Sequence, residues 1–182
     1  MTPGAAVPVG VERRSLSSFS DHRGAIAELD RASWHPERTN LQWTLIHSDA
    51  GTVRGAHVHA THTDQLVVVS GHMAIALVDL RRTSPTAHLR AMIELEPLDV
   101  LVIPPLVLHA FGFPTDTVVV NATTSEYDPD DDFETRYDDP ALGLTWPVSA
   151  PRLSTRDASA PDVATLLERC RAGGLDVVSS LA

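Results

Sequence analysis

An all-β sandwich or barrel is the fold class this sequence predicts. Three observations carry it: short apolar or alternating runs recur along most of the chain, turn residues separate them, and no amphipathic helical period intervenes. The runs are Leu41–Ile46, Val53–His59, Gln65–Val69, Met73–Leu80, Ala91–Leu95, Val100–Ile103 and Thr117–Thr124. Ser48-Asp49-Ala50-Gly51 and Ser70-Gly71 read as turns between them, because Gly, Asp and Ser relieve backbone strain or bond their own backbone there. Strands with no helices between them do not make parallel βαβ units, so they must cover each other as two layers or a closed barrel. One helix is predicted over residues 160–174. Pro161 suits a first-turn position, Val163, Leu166 and Leu167 share a face, and Gly173-Gly174 supplies the stop. Its apolar stripe places it outside the barrel. Residues 1–15 are expected to form a loosely ordered arm or an exchanged strand. Tyr127–Phe133 reads as a loop whose acidic run, Asp128-Pro129-Asp130-Asp131-Asp132, lacks the ligand spacing of a calcium loop and is expected to be a solvated turn.

The 182 residues, 43% of them hydrophobic, read as one domain spanning 1–182 that can bury a proper core. No apolar stretch approaches the roughly 18 residues of a membrane span, and the Met-Thr-Pro-Gly start has neither a basic n-region nor an apolar h-region; a cytoplasmic location and no membrane partner are expected. The lone cysteine, Cys170, excludes an internal disulfide and falls in the predicted helix, away from any nucleophilic role. Fourteen Lys+Arg against 24 Asp+Glu give a net charge of −10 with no lysine-rich patch, which argues against nucleic acid as a partner. An anionic small molecule would need locally placed arginines, of which Arg23 and Arg54 are the first candidates.

The most informative stretch is Arg54-Gly55-Ala56-His57-Val58-His59, followed by His62. Side chains two apart on a strand share a face, so His57 and His59 point one way while Ala56 and Val58 point the other. Two imidazoles converging on a barrel interior point to proton transfer or metal binding, against the plainer reading of a solvated or structurally bonded pair.

Arg54-Gly55-Ala56-His57, preceded by Asp21-His22-Arg23-Gly24 with Glu28, resembles the paired RG segments of the dTDP-4-dehydrorhamnose 3,5-epimerase family. The likeness continues in family order through Asp79-Leu80-Arg81 with Ser84-Pro85-Thr86, Ile103-Pro104-Pro105 with His109-Ala110-Phe111, Tyr127-Asp128-Pro129, Asp139-Pro140-Ala141-Leu142-Gly143 with Trp146-Pro147, and Leu153-Ser154-Thr155-Arg156-Asp157, covering about residues 20–165. The resemblance implies a cupin double-stranded β-helix (jelly roll), a homodimer, and a nucleotide-sugar substrate whose sugar lies inside the barrel. It implies no cofactor and no metal. By the same resemblance His57 is the base that removes a hydrogen beside a ketone, and Asp157 is the carboxylate that pairs with it. Arg23, Glu28, Gln42, Arg54, His109 and Tyr127 line the substrate's path. Neutral near pH 7, imidazole suits the first of these tasks.

Two positions depart from the family pattern. Asn121 stands where the first of two tyrosines, the proton donor, is expected, with Tyr127 as the second. The lysine expected on the glutamine-led strand is replaced by Asp64 or Gln65, which leaves His59, His62 and His109 to stabilise an enolate. The expected activity is therefore epimerisation of a dTDP-type 4-keto-6-deoxy sugar at one carbon, C3, in deoxysugar biosynthesis. A sister resemblance, carried by the second histidine together with Gln65, Ser125-Glu126-Tyr127-Asp128 and Arg136-Tyr137-Asp138, points to the dTDP-4-dehydro-6-deoxyglucose ketoisomerases, with His57 and His59 both catalytic. From Gly51 to Gly71 the chain also fits G-x5-H-x-H-x4-D-x6-G, similar to the first cupin metal motif, with His57, His59, Asp64 and His109 as ligands. Leu106 and Phe113 replace the glycine and asparagine of the second motif. A non-catalytic sugar-binding cupin is the remaining alternative.

Overall fold

The computed structural model describes residues 6–181. Two five-stranded antiparallel sheets face each other. One runs in the order β1 (Glu12–Ser15), β9 (Asp99–Ile103), β6 (Asp64–Ser70), β11 (Thr117–Thr123), β4 (Gln42–Ser48). The other runs β12 (Asp132–Glu134), β5 (Thr52–His59), β10 (Val107–Phe113), β7 (Met73–Asp79), β8 (Arg90–Leu95). A separate hairpin joins β2 (Ser18–Asp21) to β3 (Gly24–Ala27).

Alternation decides the layering. Along β7, Met73, Ile75 and Leu77 enter the core between the sheets with Leu66, Leu101, Phe111 and Phe113, whereas Ala76 and Val78 join a second core on the outer face. That outer core is closed by α2 (Val163–Ala172), whose Val163, Leu166, Leu167 and Cys170 are all buried, with Val177, Val178 and Leu181 of the C-terminal segment. β7 and β10 are therefore buried on both faces, and each large aliphatic side chain they remove from water contributes about 1.5–3 kcal/mol. Asp162 caps α2 by accepting from the Thr165 amide. Burial pushes the Cys170 thiol up to about 11, in keeping with a packing rather than a nucleophilic role.

Several elements differ from the sequence reading. Glu12–Ser15, the end of the expected arm, is a strand paired antiparallel to β9 of the same chain, with Glu12 opposite Val102; residues 1–5 lie outside the described residues. Strand β10 was not among the predicted runs, because Pro104-Pro105 before it and Gly112 within it read as loop punctuation; it is nonetheless the strand that joins β5 to β7. Among the described residues no helix is long and apolar enough to cross a membrane.

The segment between β3 and β4 is tied down by an ion pair. His35 Nε2 lies 2.6 Å from Asp30 Oδ1, and Asp30 also accepts from Gln65 of β6. Burial opposes the charge on His35, but its bonds to Asp30 and to the Arg38 carbonyl outweigh this and raise its pKa above the ordinary 6.5. A raised folded-state pKa stabilises fully below the unfolded value and is lost as pH rises through the folded value. His35→Gln is therefore expected to lower the thermal unfolding midpoint most at about pH 5, with the gap to wild type narrowing as the solution becomes alkaline. A gap that is flat or widens toward alkaline pH refutes the pair's role.

Candidate active site

The approach of β5 to β10 builds the site. His109 of β10 pairs in register with His57 of β5, and the ladder shifts between His109 and Ala110. At that irregularity Gly55 has φ +95°, and a Cβ there would lie 3.1 Å from the His109 carbonyl oxygen and 3.2 Å from both Ala110 Cα and His57 Cε1. Only glycine lets the backbone adopt this conformation so close to a neighbouring strand, which gives the Arg54-Gly55 pair a local physical reason. Beyond it, His57 and His59 face the space between the sheets while Val58 joins the outer core, as the alternation predicts.

These side chains line a cavity of about 460 Å³ between the two sheets. The imidazoles form a continuous group. His59 stacks on His62 with centroids 4.0 Å apart, His59 and His109 are 5.2 Å apart, and His57 meets His109 edge-on at 5.8 Å. At the centre is buried Asp64. Its Oδ2 lies 3.7 Å from His59 Nε2, 3.8 Å from His62 Nε2 and 3.7 Å from His109 Nε2, and its Oδ1 accepts from Asn121 Nδ2 at 2.9 Å. Asp64 therefore, and not Gln65, occupies the cavity; Gln65 is fully buried elsewhere, bonded to Arg38 and Asp30.

Burial, with the neighbouring imidazoles His109 and His59, pushes the pKa of His57 well below 6.5 against the opposing pull of Asp132. Burial and His109 lower His59 likewise. At neutral pH both rings are uncharged, the state a proton acceptor needs.

Only the first part of the acidic run is a solvated turn, with Asp128, Pro129 and Asp130 exposed. Asp131 is buried and accepts from the Ala60 and Thr61 amides, the Thr61 hydroxyl and His62 Nδ1. Those bonds to Thr61 and His62 outweigh the cost of burial and hold its carboxyl below the usual range. Asp132 opens β12, lines the cavity and pairs with Arg156 at 2.8 Å, while its Oδ1 is buried without a hydrogen bond. Sequence reasoning missed Asp131, Asp132 and Arg156, since a charge run carries no local sign of which carboxylates turn inward.

Gln42, Arg54, His57, His59, His109, Asn121, Tyr127 and Asp157 all line the one cavity. Gln42 accepts from the Tyr127 amide, and the Arg54 guanidinium donates to Ser48 Oγ and the His47 carbonyl. Asp157 sits in α1 (Thr155–Ala158), where Ser154 caps its amide; among the described residues no hydrogen bond joins it to His57. Arg23 and Glu28 are not brought to the cavity of this chain. Arg23 pairs with Asp21 on the exposed β2–β3 hairpin, and Glu28 pairs with Arg31.

Comparison with known proteins sets this geometry in context. The family described as dTDP-4-dehydrorhamnose 3,5-epimerase matches residues 9–165. The chain belongs to the dTDP-4-dehydrorhamnose 3,5-epimerase family. A dTDP-4-dehydrorhamnose 3,5-epimerase of Neisseria gonorrhoeae is 34% identical over 149 residues, 76% of this chain but only 45% of that protein. Among solved structures, the Mycobacterium tuberculosis rmlC epimerase superposes with a TM-score of 0.80 at 26% identity, covering 91% of this chain and 88% of its own. ChmJ, a 3'-monoepimerase from Streptomyces bikiniensis in complex with dTDP-quinovose, gives 0.79 at 26% identity over 93% and 91%. The two-sheet sandwich with its outer helix is thus the RmlC-like cupin fold. Within this cavity an amide, Asn121, and a carboxylate, Asp64, stand side by side.

Proposed function

We propose that this protein epimerises a nucleotide-linked, dTDP-type 4-keto-6-deoxy sugar at a single carbon, C3, with His57 as the base. The observation that carries the reading is His57 itself. It stands on the cavity wall, neutral through burial, in a chain of this family, with Arg54 at the same cavity to meet an anionic group. His57 takes the hydrogen on C3, the electron pair of that C–H bond forms a C3=C4 bond, and negative charge moves onto the C4 oxygen. A proton delivered from water to the opposite face of C3 re-forms the ketone with inverted configuration, and His57 releases its proton to solvent.

Restriction to one carbon is supported by Asn121, whose amide is far too weak an acid to replace a phenol, and by the likeness to a 3'-monoepimerase. Asp157, at the same cavity, is assigned the orientation of His57, and Gln42, His109 and Tyr127 contacts to the sugar. His59 is held in reserve for a ketoisomerase role. Homodimerisation is part of the same proposal. Leu41, Trp43 and Leu45 project from the sheet-edge strand β4 and its approach, and Phe19 and Ile26 from the hairpin that carries Arg23; all are exposed. A partner covering these faces is the route by which Arg23 and Glu28 would reach a substrate.

Incubation with dTDP-4-keto-6-deoxyglucose in deuterated water tests the reading. Deuterium is expected mainly at C3. Rapid labelling of both C3 and C5 makes the protein a double epimerase, a 3-keto product makes it a ketoisomerase with His59 catalytic, and no exchange removes the proposed activity.

A further inference from the structure

We infer that His59, His62, Asp64 and His109 form a binding site for one divalent first-row transition-metal ion. Three rings share one arrangement. The Nδ1 of His109 faces the Val107 carbonyl at 3.0 Å, that of His62 the Asp131 carboxylate at 2.9 Å, and that of His59 the Asp131 carbonyl at 3.3 Å. Each Nδ1 is opposite an acceptor, so it carries the proton of the neutral ring, and each Nε2 is left with a lone pair. Those three Nε2 atoms surround Asp64 Oδ2 at 3.7–3.8 Å. In the neutral rings, lone pairs converging on a carboxylate oxygen repel one another, and a proton or a metal cation between them relieves that repulsion.

Ligands held at about 2.1 Å from an ion stand roughly 3.0–3.6 Å apart; His59, His62 and Asp64 offer donor atoms all within 4.8 Å of one another and His109 stands 3.7 Å from Asp64, so an ion draws these side chains inward. The surroundings fit the same role. Asp131 orients His62 through its far nitrogen, as a carboxylate commonly orients a ligating histidine, and Asn121 fixes the second oxygen of Asp64. Three imidazoles and one carboxylate suit zinc, iron, manganese or nickel and not calcium or magnesium. The set also differs from the one the sequence motif implies, because His62 takes the place of His57. His57 stands outside this set, with a ring nitrogen within 4.8 Å of those of His59 and His109.

Binding of the ion does not rest on the epimerase reading. On that reading, the ion supplies the positive charge that neutral rings with their N–H groups turned away do not, in a cavity without the family's lysine.

The 182-residue chain, stripped with chelator, is titrated with Zn²⁺ by calorimetry and with Co²⁺ by visible absorption. One equivalent of each is expected, with ligand-field bands for cobalt. His62→Gln and Asp64→Asn are expected to weaken binding at least about 10-fold, and Asp131→Asn, which touches the ion only through His62, about 10–100-fold. His72→Gln, beside Glu94 and Glu96 on the outer surface, is expected to leave binding unchanged. Unfolding midpoints establish that each variant is folded, and with Asp64→Asn and His62→Gln both available a single misfolded variant leaves the inference decidable. Absence of saturable binding, or binding that survives both substitutions, overturns the site. Deuterium exchange measured on stripped and loaded protein keeps the two readings apart: binding without exchange sustains the ion and removes the epimerase, and exchange without binding does the reverse.

Discussion

Replacing His57 with alanine is expected to lower kcat/KM on a dTDP-4-keto-6-deoxy sugar by about 10²–10⁴-fold, the contribution of a positioned general base. The fold should survive, because His57 makes no hydrogen bond among the described residues and faces a cavity instead of the aliphatic core. An unchanged unfolding midpoint and circular dichroism spectrum would establish this. Asp157→Asn is expected to cost less, since it leaves the base in place and removes only an orienting charge. Asp132→Asn belongs in the same series, because Asp132 is the carboxylate whose field acts on His57 in this structure. Near-native turnover in His57→Ala would show that another group removes the proton and would overturn the assignment of the base.

The largest stability effect is expected at Asp79, far from the reacting atoms. Its carboxylate is fully buried at the end of β7 and accepts from Arg81 Nε and Nη2 at 2.8 Å, from Ser84 Oγ and Thr86 Oγ1 at 2.6 Å, and from the Arg81 amide. Arg81 and Thr86 in turn bond the backbone of Val9, so the knot also fastens the N-terminal segment. Burial opposes the charge on Asp79, but the bonds from Arg81, Ser84 and Thr86 outweigh it and hold the carboxyl below the usual range. Asp79→Ala strands a guanidinium and two hydroxyls. Breaking a buried pair in this way costs about 3–5 kcal/mol, which in a domain of this size corresponds to a fall in Tm of about 6–20 °C. Calorimetry is the check, and a shift of about 2 °C or less would mean that the knot relaxes onto water. The same arrangement explains a motif that sequence reading recognised only by resemblance: Asp79-Leu80-Arg81 with Ser84-Pro85-Thr86 is a structural clasp.

Much of the site was legible where the information is local. The two-residue period of His57 and His59 placed both rings toward the interior with Val58 behind them, and the helix stripe of Val163, Leu166 and Leu167 foretold an outer layer. Gly55 was visible as part of a motif, though its cause, the close approach of β10, was not. Strand β10 itself escaped because the prolines that flank it and the glycine within it look like loop punctuation; its place in the sheet comes from partners on β5 and β7, which local propensity does not register.

By itself the sequence determined an all-β chain with an outer helix, the inward face of the paired histidines, and part of the pocket's lining. Those features depend on neighbours within a few positions, where backbone geometry dictates direction. Tertiary structure alone decided which of those groups meet. Asp131 accepts from His62 across 69 residues of chain, turning a supposed solvated turn into a buried anchor. Asp64, on one sheet, faces Nε2 atoms from two strands of the other sheet and from the loop after β5, and Gln65 beside it does not reach the cavity. The tautomers of His59 and His62 are set by the carbonyl and carboxylate of the distant Asp131, whereas that of His109 is set by the Val107 carbonyl of its own strand. Hydrogen-bond and electrostatic partners are chosen by distance in space, and no local pattern in the chain encodes that distance.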